Sequence, residues 1–125
     1  MVKIADLGAA KVLDSSARHM NTPYVVSRYY RAPELILGSH FYDCSIDIWA
    51  AGCILFELLT KQPMFPGESE GLQLCEQLQV LGYPSETELA KMQADCGQAP
   101  MHLFSKARIG CEVDLARLIL ASPDN

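Results

Sequence analysis

The residues best suited to chemistry lie in the first third of the sequence. A carboxylate, Asp6, stands directly before Leu7 and Gly8, and the segment 22–38 (TPYVVSRYYRAPELILG) places phosphorylatable hydroxyls beside guanidinium groups. A phosphate ester on such a hydroxyl carries roughly two negative charges, and arginine side chains bind it strongly. The segment therefore raises the question of why a chain places hydroxyls that can carry phosphate so close to Arg28 and Arg31.

Mostly helical elements are predicted to position these residues. The alternation of Val2 to Ala5 is typical of a short strand, and the aperiodic stretch from Ala9 to Arg31 is typical of a functional loop. Capping residues, glycines and prolines then predict helices at 34–37, 45–59, 69–81, 86–94 and 113–121. The expected fold class is mainly α, with one short strand at the N-terminus.

The predicted helix at 45–59 is the most apolar part of the chain. Ser45 is its expected N-cap, and apolar residues go almost all the way round it, which is typical of a helix buried on nearly every side. It contains Asp47 and Glu57 and is short for a membrane span. Further along, Ser85 and Glu88 have the spacing of a capping box.

Composition excludes several classes of protein. A net charge of -5 and a pI near 5.0 argue against nucleic-acid binding, which needs a basic surface. The N-terminus lacks the apolar run of a signal peptide. The five cysteines form no C-x-x-C pair and the three histidines lie far apart, so a His or Cys metal site is not expected. We expect an intracellular protein, cytoplasmic or nuclear, with reduced cysteines.

Three motifs in the right order carry a family resemblance. Asp6-Leu7-Gly8 and Ala32-Pro33-Glu34 bracket the long loop, and SIDIWAAGC follows at 45–53. With these motifs the chain resembles the eukaryotic protein kinases, whose activation segment opens with D-F-G and closes with A-P-E. It resembles the branch of the glycogen synthase kinase-3, mitogen-activated and cyclin-dependent kinases. The closest similarity is to glycogen synthase kinase-3, through Lys11, SRYYRAPELI, QPMFPGES and QLQVLGYP.

The resemblance implies that residues 1–125 are a partial C-terminal lobe of the protein kinase-like fold. Its parts would be the activation segment (1–34), a buried central helix (45–60), a helix plus family insert region (69–94) and a truncated last helix (113–121). Asp6 would ligate Mg²⁺ and, with Gly8, help to bind ATP, although a plain turn role for Asp6 is the alternative. Leu7 stands where the family has phenylalanine, a residue that sets the active or inactive pose.

The resemblance also implies sites for phosphate. Tyr24 aligns with the activating tyrosine of the branch, with Arg28 and Arg31 as its phosphate partners. This implies a charge switch in which added phosphate is bound by the arginines and orders the loop, and simply solvated arginines are the alternative. Thr22 and Tyr24 also form the T-P-Y pattern of the c-Jun N-terminal kinases, so a mitogen-activated-type kinase is an alternative. Lys11 and Arg28 match two members of the pocket by which glycogen synthase kinase-3 binds a phosphate already present on its substrate.

Three further residues receive roles from the resemblance. Ser27 lies where serine/threonine kinases place a hydroxyl that touches the catalytic loop, so the implied substrate is a protein serine or threonine. Glu34 is expected to be buried and ion-paired with an arginine late in the domain. Asp47 is expected to anchor the central helix to the catalytic loop, and a favourable position at the helix N-terminus is its alternative role.

Motifs that the family places before D-F-G are not found in these 125 residues. The sequence has no G-x-G-x-x-G nucleotide loop, no V-A-I-K-like strand and no H-R-D-x-x-x-x-N catalytic loop. We therefore expect an incomplete domain that is at best marginally folded, does not bind ATP and Mg²⁺ stably alone, and transfers no phosphate alone. The alternative from another class is a non-catalytic interaction module whose groove at 70–92 docks a helical partner. Expected partners are protein substrates or docking proteins, with no nucleic acid and no membrane.

Overall fold

The computed structural model describes residues 3–12, 27–88 and 90 of the chain. The described elements are a first 3₁₀ turn (Leu7–Ala9), a second 3₁₀ turn (Arg28–Tyr30) and the helices α1 (Pro33–Ile36), α2 (Ser45–Thr60) and α3 (Glu70–Leu81). Another helix begins at Glu86. The expectation of a mainly α fold is confirmed for this part of the chain. Thr22, Tyr24, the predicted helix at 113–121 and most of the one at 86–94 lie outside the described residues.

The predicted N-terminal strand is not formed over its described part, Lys3 to Ala5. A strand exists only where a neighbouring strand completes its backbone hydrogen bonds. The described segments contain no second strand, so the alternating pattern of side chains has nothing to pair with.

Two helix starts show how side chains determine where the helices begin. The prediction of Ser45 as N-cap is wrong, because Ser45 is the first residue of α2 and Cys44 is the N-cap. The carboxylate of Asp43 accepts a hydrogen bond from the Ser45 backbone N–H at 2.7 Å, which satisfies one donor of the first helical turn. Hydrogen bonds from the Ser45 side chain and backbone also lower the pKa of Asp43. At α3, Ser69 is the N-cap, and its hydroxyl accepts from the backbone N–H of Leu72.

The capping box predicted at Ser85 and Glu88 is confirmed. The backbone N–H of Ser85 donates to Glu88 Oε2 at 2.8 Å, and the backbone N–H of Glu88 donates to Ser85 Oγ at 3.4 Å. Each side chain thus satisfies a backbone donor that the first helical turn leaves without a partner.

The core of the described part lies between α1, α3 and the segment that joins α2 to α3. Phe65 is fully buried and its ring stacks on Trp49 with centroids 5.7 Å apart. Leu74 of α3 and the three residues Leu35, Ile36 and Leu37 are also buried. These contacts bring α3 against α1 and the residues just before it, among them Arg31.

Helix α2 is only partly covered by the described residues. Cys53 and Thr60 are buried, whereas Ile48 is 75% exposed and Leu55 is 59% exposed. The sequence predicts a helix that is buried on nearly every side in a complete domain. Because these 125 residues are expected to be an incomplete domain, several of its apolar side chains are expected to face water. The second expectation holds for the described part, where α2 contacts the second 3₁₀ turn through Glu57 and the segment after the helix through Trp49. No helix among the described residues is long and apolar enough to cross a membrane.

Candidate functional site

Asp6 presents an exposed carboxylate at the first 3₁₀ turn. Its backbone adopts a left-handed conformation (φ 60°), and its Oδ1 accepts a hydrogen bond from the Gly8 N–H at 3.2 Å. Aspartate tolerates this conformation because its short side chain can bond to the backbone locally. Gly8 fits the turn closely, since a Cβ there would lie 3.2 Å from the same oxygen. The turn therefore fixes the direction of the carboxylate and leaves it accessible to a cation.

A magnesium ion fits this carboxylate as one ligand among several. Magnesium is usually held by one or two carboxylates together with water and substrate phosphates, and does not require an all-protein cage. In residues 3–12, 27–88 and 90, no group of three or more His, Cys, Asp or Glu side chains could hold a metal on its own. Asp6 could thus supply one ligand, with the phosphates of a nucleotide as the others.

Lys11 lies a short distance along the chain from Asp6 and contacts Tyr42. Its Nζ donates to the Tyr42 hydroxyl at 3.0 Å and lies 4.8 Å from the centroid of the ring. Both residues belong to segments that the sequence separates widely, so this contact ties the N-terminal segment to the turn before α2. The hydrogen bond and the cation–π contact orient the lysine at the surface.

Arg28 opens the second 3₁₀ turn and binds the end of the chain segment before α3. Its Nη1 donates to the backbone carbonyl of Glu68. Ser27, the residue before it, is exposed, and its side chain makes no capping hydrogen bond to the turn. The Ser27 hydroxyl is therefore not used to hold the turn.

Arg31 is held more firmly than Arg28. Its side chain is only 11% exposed, and Nη1 lies 3.3 Å from Oε1 of Glu70 in the first turn of α3. Its backbone carbonyl accepts a buried hydrogen bond from Gln77 Nε2 at 2.8 Å. Two residues of α3 therefore anchor Arg31, one through the side chain and one through the backbone. Of the three phosphate-binding candidates, Arg28 and Arg31 therefore bind near the start of α3, whereas Lys11 contacts Tyr42.

Tyr30 and Glu57 form a pair that the sequence did not reveal. The Tyr30 hydroxyl donates to Glu57 Oε2 at 2.8 Å. This hydrogen bond raises the pKa of Tyr30, with desolvation and the negative charge of Glu57 adding to the effect. The signal that could have found the pair is Glu57 itself, a carboxylate in the most apolar helix of the chain. The pair attaches the second 3₁₀ turn to α2.

Glu34 and Asp47 are both in the first turns of their helices. Glu34 is half-buried, so its expected burial is only partly realised here, and among the described residues it has no ion pair. Asp47 is exposed in the first turn of α2, a position that the helix dipole favours. Their proposed contacts with other parts of a catalytic domain stay predictions.

A small cavity lies between α1 and α3. It has a volume of about 270 Å³ and is lined mainly by apolar side chains, among them Pro33, Leu37, Leu74, Leu78 and Leu81. This cavity overlaps the described part of the groove predicted at 70–92. Leu74 is buried there, so its substitution would weaken the core as well as the cavity.

Comparison with known proteins identifies the family. The protein kinase domain family matches residues 1–107, and the chain belongs to that family. It is 50% identical over 91 residues to the serine/threonine-protein kinase RIM11/MSD1 of Saccharomyces cerevisiae, a match that covers 73% of this chain and 24% of the relative. In a crystal structure of the yeast RNA Pol II CTD kinase CTDK-1 complex, one chain matches with a TM-score of 0.64 and 35% identity. That match covers 71% of this chain and 30% of the other.

These relatives support the branch predicted from the motifs and a segment of a serine/threonine kinase domain. They favour neither the non-catalytic module nor the T-P-Y-activated kinase. The chain spans about a quarter of the length of the curated relative.

Proposed function

We propose that this chain supplies the magnesium-binding aspartate and the substrate-facing segment of a serine/threonine protein kinase. The reaction would be the ATP- and Mg²⁺-dependent transfer of phosphate to a protein hydroxyl. The observation that carries the proposal is the exposed carboxylate of Asp6, fixed by its bond to Gly8 within a chain that matches the kinase family over residues 1–107. Protein kinase catalysis depends mainly on positioning and charge neutralisation, which is the contribution an ordered carboxylate can make.

The chain's own residues would have separate tasks. Magnesium, when bound with ATP, neutralises the charge of the phosphates, and Asp6 would orient that cation. Ser27 to Arg31 would lie along the protein substrate, held by the contacts of Arg28, Tyr30 and Arg31. The exposed Ser27 hydroxyl remains available for a group outside the described residues.

Phosphorylation of Tyr24 would act chiefly through Arg28. Arg31 is mostly buried and already paired with Glu70, so a phosphate would have to compete with that carboxylate. Arg28 is exposed, and its Nη1 donates to the neutral backbone carbonyl of Glu68. A phosphate can take the place of this carbonyl, because it forms a stronger charge-assisted hydrogen bond with the guanidinium group. A phosphate already present on a substrate would bind Lys11 and Arg28, both of which are exposed.

Protein partners would dock beside α3. The cavity between α1 and α3 offers apolar side chains for a helical partner at 70–92, and this surface would serve the kinase and not replace its catalysis. The proposed location is inside the cell, in the cytoplasm or nucleus.

The decisive experiment compares Asp6→Asn with Glu86→Gln in the epitope-tagged protein expressed from its own gene. Both changes replace an exposed carboxylate with an amide, but only the first removes the proposed magnesium ligand. Wild-type and Glu86→Gln proteins should phosphorylate protein serine or threonine, and Asp6→Asn should lose this activity. Equal activity of Asp6→Asn, or phosphate found only on tyrosine, would contradict the proposal. The isolated 125-residue chain should transfer no phosphate.

A further inference from the structure

Two glutamines of α3 are buried as completely as the apolar core. Gln73 is 0% exposed and Gln77 is 1% exposed, and they lie one helical turn apart on the same face. Glutamine is seldom fully buried, because its amide loses hydration that only good hydrogen bonds restore. Their burial therefore needs a reason beyond the filling of space.

Both amides donate to the backbone of the same loop segment. Gln77 Nε2 donates to the Arg31 carbonyl at 2.8 Å, and Gln73 Nε2 donates to the Tyr29 carbonyl at 3.4 Å. Gln73 Oε1 also accepts from the Gly67 N–H at 3.0 Å. The two bonds to Tyr29 and Arg31 connect residues that are 44 and 46 positions apart in the sequence. They therefore join α3 to the segment of the second 3₁₀ turn.

Burial of the Gln77 amide costs free energy of folding. Within the described residues its buried Oε1 has no hydrogen-bond partner, so half of the amide is desolvated without compensation. A methionine or leucine would fill the same volume without that cost. The bond from Nε2 to the Arg31 carbonyl is thus the feature that accounts for a glutamine at this position.

We infer that Gln77, supported by Gln73, is a positioning residue that sets the backbone of Tyr29 to Arg31 for the protein substrate. The inference rests on the proposed function, since it assumes that this segment faces the substrate. The glutamines do not touch the reacting atoms themselves. Loosening them would weaken productive binding of the protein substrate and leave ATP binding and the chemical step unchanged.

Gln77→Met and Gln79→Met form a matched pair for the test. They lie on the same helix, and the new side chain resembles glutamine in length, but Gln79 is exposed and makes no described bond to the loop. Hydrogen–deuterium exchange on the tagged protein should show faster exchange at residues 29–31 in Gln77→Met only. The KM for protein substrate should rise about 3- to 10-fold, the loss of roughly one hydrogen bond, with kcat and the KM for ATP unchanged.

Each result decides a separate question. Unchanged exchange at residues 29–31 in Gln77→Met, or the same change in Gln79→Met, would overturn the positioning role whatever the activity. Faster exchange with an unaltered KM for protein substrate would also overturn it. If wild-type protein lacks Asp6-dependent activity, the proposed function fails, and the claim about substrate fails with it. Gln77→Asn keeps the amide but is too short for the 2.8 Å bond, and it replaces Gln77→Met if the latter does not fold.

Discussion

Gly67 lies where the backbone of the turn before α3 approaches the backbone of α3 closely. A Cβ at this position would lie 2.3 Å from the backbone N of Gln73 and 2.4 Å from its Cα. Both atoms belong to the main chain of α3, so rotation of a flexible side chain cannot relieve the contact. Gly67→Ala must therefore move the turn or the helix.

The size of the effect follows from that geometry. Ordinary van der Waals contact begins at 3.4 Å, so the backbones would have to separate by about 1 Å. Overpacking of this kind costs about 1–3 kcal/mol. The same shift would stretch the 3.0 Å bond from the Gly67 N–H to Gln73 Oε1, which adds to the loss. For a chain expected to be marginally stable, we expect Gly67→Ala to lose most of its folded population.

Gly52→Ala is the matched control for this prediction. Gly52 lies in α2, is exposed, and would place its Cβ in open space with no atom within 4 Å. Alanine there should stabilise the helix by roughly 0.5–1 kcal/mol. Far-ultraviolet circular dichroism during urea titration measures both changes, with Ile48→Glu and Leu55→Glu present in every variant to keep the 125-residue chain soluble. A Gly67→Ala variant as stable as wild type would refute the close approach of the turn and α3.

Two further predictions concern a buried thiol and a helix cap. Burial raises the pKa of the Cys53 thiol from 9.0 to about 11, so iodoacetamide should alkylate the exposed Cys44 before Cys53. Stability should also fall as pH rises from about 9 towards 11, because the unfolded thiol ionises first; a flat profile would contradict the burial. Ser85→Ala should destabilise the helix that begins at Glu86 by about 0.5–2 kcal/mol, because it removes the cap bond to the Glu88 N–H. Amide exchange of that helix measures the change. Ser27→Ala is the control, since it removes no described cap bond and should leave the exchange of the same helix unaltered.

Local signals in the sequence predicted three helices of the described part of the chain well. The expected helices at 34–37, 45–59 and 69–81 correspond to Pro33–Ile36, Ser45–Thr60 and Glu70–Leu81. Proline, glycine and capping residues act within one turn of where they stand, so their effect can be predicted without a tertiary structure. The error at Ser45 is of the same local kind, since the helix begins one residue earlier than expected and Asp43 accepts the hydrogen bond of the Ser45 N–H.

Features that depend on distant residues were not predicted. The strand expected at Val2 to Ala5 needs a partner strand, which its own sequence cannot supply. The bonds of Gln73 and Gln77 to the loop were missed because their partners lie more than 40 residues away. A signal was present, since two glutamines spaced four residues apart follow the same face as Leu74 and Leu78. Amide side chains on an otherwise apolar helix face indicate a polar contact within the interface.

The uncovered side of α2 also determines how the isolated chain will behave at high concentration. Ile48, Leu55, Leu58 and Leu59 are each at least 50% exposed, and the spacing of Ile48, Leu55 and Leu59 places these three on one face of the helix. Surfaces of this kind drive aggregation and attract chaperones until another protein surface covers them. Expression of these 125 residues alone should therefore give inclusion bodies or chaperone-bound material, and glutamate at Ile48 and Leu55 should increase the soluble yield.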